Sequence, residues 1–262
     1  MLLVAGAAAT AQEPAGLAAS ALANPSFAWQ RDALPGFRVY TLPGSYAHAH
    51  RDSLMKRLPA ALGAARTMID APPLNGPIDI FFLDSRSHME ALTGAPVTGF
   101  AHVTAKAVFL VTNPGWRAFE RHEIMHVVAG NAWGHDPRRN TWLIEGLGQA
   151  ADGFCAGYPN EVVAAALASR GGWIDLDTML RRFREQSDLR AYLQSASFTA
   201  YLLQHAGIPA VRTLWQSDAD TATIVAGASL AAWEKRWRAA IRTSTIPSET
   251  LALVEQHGCG IR

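Results

Sequence analysis

A surplus of charge is the first thing this sequence lacks. Its 262 residues carry 23 Lys and Arg against 22 Asp and Glu, a formal charge of +1. Nucleic-acid binding needs a dense basic face, so the balance argues against that partner. Cysteine is nearly missing as well. Cys155 and Cys259 stand far apart, without the paired spacing of a cysteine-built zinc site. In an oxidising compartment the two could pair and fix the C-terminal tail near the helix that holds Glu145; as free thiols they would not, and the sequence leaves both open. Runs of apolar residues are short too. The apolar opening, residues 1–11, is about half the roughly 20 residues a membrane-spanning helix needs. It ends Ala9-Thr10-Ala11 before Gln12, the small-residue pattern of a signal-peptide cleavage site, although no basic residue precedes it. We therefore expect export, to the periplasm or beyond, with cleavage near Ala11. A leader over 1–23 and one domain over 24–262 follow from this. No repeat and no long linker is visible. With 49% hydrophobic and 17% charged residues, the chain is globular and long enough for one substantial core.

Periodicity gives an order of elements. Residues 37–41 read as a short strand, and 53–70 as a helix despite Pro59 and Gly63, ended by Ala71-Pro72-Pro73. Residues 78–83 are a clear strand. Ser87, three residues before Glu90, has capping-box spacing and starts a brief helix. Residues 99–104 and 107–111 suggest an antiparallel pair at a sheet edge. Asn113-Pro114 reads as the N-cap and first position of a helix that ends at Gly130-Asn131. Thr141 opens the next helix, which stops near Asp152-Gly153. Helices then follow over 160–170, 176–185, 188–205, 209–216 and 229–242. Strands come first and helices after, with the change near residue 130. This predicts an α+β fold with a small mixed sheet and a cleft between its two parts.

The chemistry is concentrated in His122-Glu123-Ile124-Met125-His126. Residues i and i+4 stand on one helical face a turn apart, so both imidazoles can reach one ion. Glu123 is rotated by about 100° from His122, near enough to serve a water at that ion without ligating it. A catalytic zinc usually takes three protein ligands and leaves a fourth position open. Glu145, in Trp142-Leu143-Ile144-Glu145-Gly146, is the candidate third ligand; the 18 residues after His126 allow a turn and a second helix.

That combination resembles the gluzincin metallopeptidases, and most closely the compact "peptidase MA-like" proteins, over roughly residues 78–240. The resemblance implies one Zn2+ per chain held by His122, His126 and Glu145, with Glu123 as general base and a peptide or protein as substrate. It implies an edge strand along the cleft, a zinc-binding helix pair and a helical C-terminal half. It also assigns Tyr192, near the start of a downstream helix (Tyr192-Leu193-Gln194-Ser195-Ala196-Ser197-Phe198), to the oxyanion of the tetrahedral intermediate. Two positions depart from the pattern. Many relatives carry an acidic residue one turn after the third ligand, where this chain has Gln149. The Gly-x-Met-Glu-Asn stretch of aminopeptidases, which holds a substrate amino terminus, has no counterpart, so aminopeptidase specificity is unsupported.

The alternative reading is a non-catalytic exported module that binds zinc or peptide on the same scaffold. Gln149 and the missing clamp favour it; the intact Glu123 opposes it. Other histidines carry less. His48 and His50 make a weak second metal pair, His102 and His135 are placed to line the cleft, and His88, His205 and His257 read as surface or capping residues. The basic clusters Arg138-Arg139 and Arg181-Arg182-Phe183-Arg184 read as solvated faces before acidic-substrate contacts.

Overall fold

The computed structural model describes residues 16–136, 139–241 and 246–260. The chain opens with α1 (Gly16–Ala23), β1 (Gln30–Leu34), β2 (Phe37–Thr41), α2 (Tyr46–Ala49), α3 (Arg51–Ile69), β3 (Ile78–Leu83), α4 (Arg86–Thr93), β4 (Gly99–His102) and β5 (Ala107–Val111). Next come α5 (Glu120–Trp133) and α6 (Thr141–Asp152), a hairpin of β6 (Phe154–Cys155) and β7 (Tyr158–Pro159), then α7 (Asn160–Gly171) and α8 (Leu176–Arg181). After a 3-10 turn (Phe183–Glu185) follow α9 (Asp188–His205), α10 (Ile208–Trp215), a second hairpin of β8 (Ile224–Val225) and β9 (Ala228–Ser229), α11 (Leu230–Ala240) and α12 (Ser248–His257). The α+β class and the small mixed sheet are as the sequence suggested.

The sheet runs β1-β2-β3-β5-β4. Its middle is parallel, β2 to β3 and β3 to β5, and both edges are antiparallel. Parallel strands are covered on both faces, so β3 and β5 are buried at every residue. Alternation divides them. Ile80, Phe82, Val108 and Leu110 face the large core under α3 and α5, while Phe81, Leu83, Phe109 and Val111 face a smaller core under α1 and α4. The odd residue is Asp79, buried in the central strand. Arg38 is its register partner on β2 and forks onto it with bonds of 2.5 and 2.6 Å, which satisfies the carboxylate. The large core then continues without a break into α6, α9, α10 and α11.

Several expectations are corrected. Asn113 does not cap a helix. Its Oδ1 accepts from the Gly115 N–H and its backbone bridges Trp116 in both directions, so residues 113–116 are a turn and α5 begins at Glu120. Gly130 does not end α5 but lies inside it, where a Cβ would collide with Val103. The cap of α4 is Ser85, which accepts from the His88 N–H, and not Ser87. One local shape occurs twice. Two hairpins, each followed directly by a helix, turn on Ala156-Gly157 and Ala226-Gly227, all four with positive φ. Such turns are usually announced by Asn-Gly or Asp-Gly, and Ala-Gly conceals them. Of the leader expected over 1–23, residues 1–15 lie outside the described residues. Residues 16–23 form α1, and Ala21 is buried in the smaller core. Among the described residues no helix is long and apolar enough to cross a membrane.

Cys155 and Cys259 are joined in a disulfide across 104 residues. Around it α12 packs on α7 through Leu251 and Val254 against Val163 and Leu167. Arg117 completes the attachment. Its Nε donates to the Cys259 carbonyl at 3.2 Å, its N–H donates to Gly260, and its remaining nitrogens fork onto Asp152 at the end of α6. Closing so long a loop restricts the unfolded chain, so the double substitution Cys155→Ser/Cys259→Ser is expected to cost about 2–4 kcal/mol in urea denaturation. An unchanged midpoint would mean that Arg117 and α12 hold the tail unaided.

Candidate metal centre

Two devices fix the helix pair that builds the site. The first is a set of bonds from α10 to the loop between α5 and α6. Trp215 Nε1 donates to the Gly134 carbonyl at 2.8 Å, and Gln216 Nε2 donates to Trp133 at 2.9 Å. Asn140, in the left-handed region, donates to the Leu214 and Ser217 carbonyls just before α6 begins. The second is close packing by glycine. A Cβ on Gly146 would stand 2.6 Å from Thr199 Oγ1 and 2.8 Å from the Ser195 carbonyl of α9. A Cβ on Gly148 would stand 2.8 Å from His122 Nε2. Trp142, fully buried, stacks on Phe198 at 5.8 Å and anchors the first turn of α6.

The result is convergence. His122 Nε2 lies 3.3 Å and His126 Nε2 3.5 Å from the same oxygen, Glu145 Oε2. One donor atom from each of the three lies within 4.8 Å of the others, and this is the single such group among the described residues. Burial alone would push the Glu145 carboxyl up, but the two imidazoles outweigh it and hold it well below the usual range. Its other oxygen, Oε1, accepts from Arg184 Nη2 at 3.3 Å.

Glu123 stands beside this group, 6% exposed. Burial pushes it up to about 7, opposed by His126 and assisted by the negative charge of Glu145. Gly99 at the start of β4 makes room for it, since a Cβ there would overlap the Glu123 carboxylate. Tyr192 stacks on His122, ring centroids 6.0 Å apart, and leans on Phe183 at 5.4 Å. Burial, and then Glu145, push its phenol up, so it is a neutral O–H donor. All five residues singled out from the sequence line one cleft of about 880 Å3, with β4 along its side.

The remaining expectations divide. His102 and His135 line the cleft, and so does His257, which is a surface residue as expected, exposed in the last turn of α12. The tail brings it there. His48 bonds Thr41 and His50 stacks on Tyr46, and they belong to no metal-holding group. His88 packs on Phe27, and His205 on Tyr201. Arg181 pairs with Asp177, one turn back on α8, and Arg139 pairs with Asp136 and Asp218. Arg138 lies outside the described residues. Arg184 is the exception in its cluster, because Phe183 is buried against Tyr192 and turns its neighbour toward Glu145. Its signal in the sequence was the apolar residue interrupting the basic run.

The donor set could hold a divalent metal ion: two imidazole nitrogens and one carboxylate oxygen, largely buried at the side of a cleft. The supporting shell is thinner. Ligand histidines usually donate their second N–H to an acceptor. Here His126 Nδ1 is buried without a hydrogen-bond partner among the described residues, and Gln149 Nε2 donates instead to Asn160 Oδ1 at 3.2 Å. Compared with protein-family models and with curated proteins, the chain finds no match in either.

The methyl group introduced by Gly148→Ala would press on His122 Nε2. We expect a loss of about 1–3 kcal/mol in stability and at least a tenfold drop in zinc affinity in a chelator competition. Zinc affinity at the wild-type level would show that α6 shifts without disturbing the imidazole.

Proposed function

We propose that the protein is a zinc-dependent metallopeptidase. The observation that carries this reading is the convergence of His122, His126 and Glu145 in a cleft with the buried Glu123 beside them. His122, His126 and Glu145 would hold the ion. A zinc bound there supplies Lewis acidity and an activated water at neutral pH. Glu123 accepts the proton of the attacking water and returns it to the departing amine. Tyr192 donates its O–H to the oxygen on which negative charge develops, and its packing against His122 and Phe183 aims it in advance. The β4 edge lies along the cleft, where an extended peptide backbone can add to the sheet.

Glu123 also weighs against the binding-only alternative. A carboxylate this deeply buried costs stability, and no arginine reaches it among the described residues. A site that only held peptide would gain nothing from it. The unpartnered His126 Nδ1 and the engaged Gln149 speak for the alternative to the extent that they weaken metal binding. The disulfide supports the expectation that the protein works in an oxidising, extracytosolic compartment.

Plasma mass spectrometry should find about one zinc per chain, lost in His126→Ala. No zinc on the wild-type protein, before or after adding it, would sink the proposal. Glu123→Ala should keep the metal and hydrolyse no peptide. Tyr192→Phe should lower kcat by about a hundredfold with little change in KM, and an unchanged kcat would remove Tyr192 from the mechanism.

A further inference from the structure

The described residues after α12, 258–260, belong to no strand or helix, yet they are fixed. The disulfide holds Cys259, and Arg117 holds the carbonyls of Cys259 and Gly260. Gly260 is pressed flat on the Trp116 indole, where a Cβ would stand 2.8 Å from Nε1. Because Arg117 also forks onto Asp152, this latch is fastened to the helix that bears Glu145. The latched residues Gly258 and Cys259 line the same cleft as the metal centre.

Their neighbours in the cleft are apolar. Trp116 and Phe119 meet edge to face at 6.3 Å. Leu189 and Leu193 pack in one cluster with both cysteines. Val97 stands at the same cleft, 40% exposed. Two guanidiniums lie over the aromatic rings, Arg117 over Phe119 at 4.4 Å and Arg86 over Trp116 at 5.7 Å, and Arg117 is already engaged by Asp152 and the tail. Of the cleft's carboxylates, Glu123 and Glu145 belong to the centre, and Asp188 immediately precedes Leu189 in the first turn of α9.

We propose that this end of the cleft is a subsite for a bulky apolar side chain of the substrate, walled by the disulfide-latched tail. The inference rests on the peptidase reading for the nature of the substrate. The subsite needs both sides, Trp116 and Phe119 from the segment before α5 and the tail from the other end of the chain. Opening the latch removes one wall and leaves the centre in place.

The test uses blocked peptides carrying Phe, Ala or Glu at each position in turn. Binding to the Glu123→Ala protein is read by calorimetry, and turnover by the wild-type protein is measured in parallel. At one position Phe should bind roughly tenfold tighter than Ala, as burial of an aromatic side chain requires. That preference should shrink to about threefold or less in the Glu123→Ala/Trp116→Ala variant and after reduction of the disulfide, with zinc content unchanged. Equal binding of Phe and Ala peptides at every position would overturn the proposal. So would a preference that survives both the substitution and the reduction. Should the Trp116 variant misfold, the reduced chain, with its two thiols counted, decides alone. An intact binding preference without turnover of any peptide would leave the subsite standing and overturn the peptidase reading instead.

Discussion

The distance between α6 and its neighbours is the constraint on which the rest depends. Two donors come from one turn of α5, so their separation is set by the helix itself. The third must come from another helix, and its reach depends on how closely that helix approaches. Ordinary helix pairs sit about 8–10 Å apart, with side chains between them. On α6 the side chains are deleted at two places, Gly146 toward α9 and Gly148 toward His122. Glu145 comes immediately before the first of them in sequence, so the close approach they allow carries it to the imidazoles of α5. Trp142, one turn earlier, supplies the bulk that fixes the helix against rotation, buried on Phe198. A short motif thus carries an anchor, a donor and two clearances.

The same view explains what was legible in the sequence. The strand over 78–83 and the helix over 188–205 carry their period and their ends within a few residues, and the structure has both over those residues. The five site residues could be named because helical spacing ties His122 to His126, and a familiar pattern ties Glu145 and Tyr192 to them. Errors came where one local signal has two meanings. Asn113-Pro114 can open a helix or a turn, and the choice fell to a bond from Asn113 Nδ2 to the Asp84 carbonyl across the fold. Gly130 can end a helix or admit a neighbour, and only the position of Val103 decides. Arg184 and His257 were given no place at the centre for a related reason. Their roles depend on which way Phe183 and the disulfide turn them.

The buried charges divide into two groups. Asp79 and Asp152 each receive an arginine fork, an arrangement that returns much of the desolvation cost through paired bonds. Glu120 has one arginine, Arg57 at 3.0 Å, and one oxygen left without a partner, and burial raises its pKa even so. Glu123 and the inner oxygen of Glu145 have only imidazoles for company. A fold that forks arginine onto buried carboxylates elsewhere gives Glu145 only a single bond from Arg184, on its outer oxygen, and gives Glu123 no arginine among the described residues. Charges kept in low dielectric without a structural partner are where function concentrates.

The walls of the cleft point the same way. One is β4, a four-residue edge strand whose residues are all half-buried. Free edges invite unwanted pairing, and shortness is one way to limit that risk. The opposite wall is built from the side chains of α6 and α9, and one end is closed by a tail that folding alone would leave loose. Backbone groups on one side and apolar side chains at one end are different kinds of recognition. The first accepts any extended chain, and the second discriminates. A site that needed only to hold a metal would require neither, whereas a site that must grip a backbone and select a residue requires both. If the proposed function holds, the disulfide and Arg117 would serve recognition as well as stability, because they hold in place a wall that, among the described residues, belongs to no strand or helix.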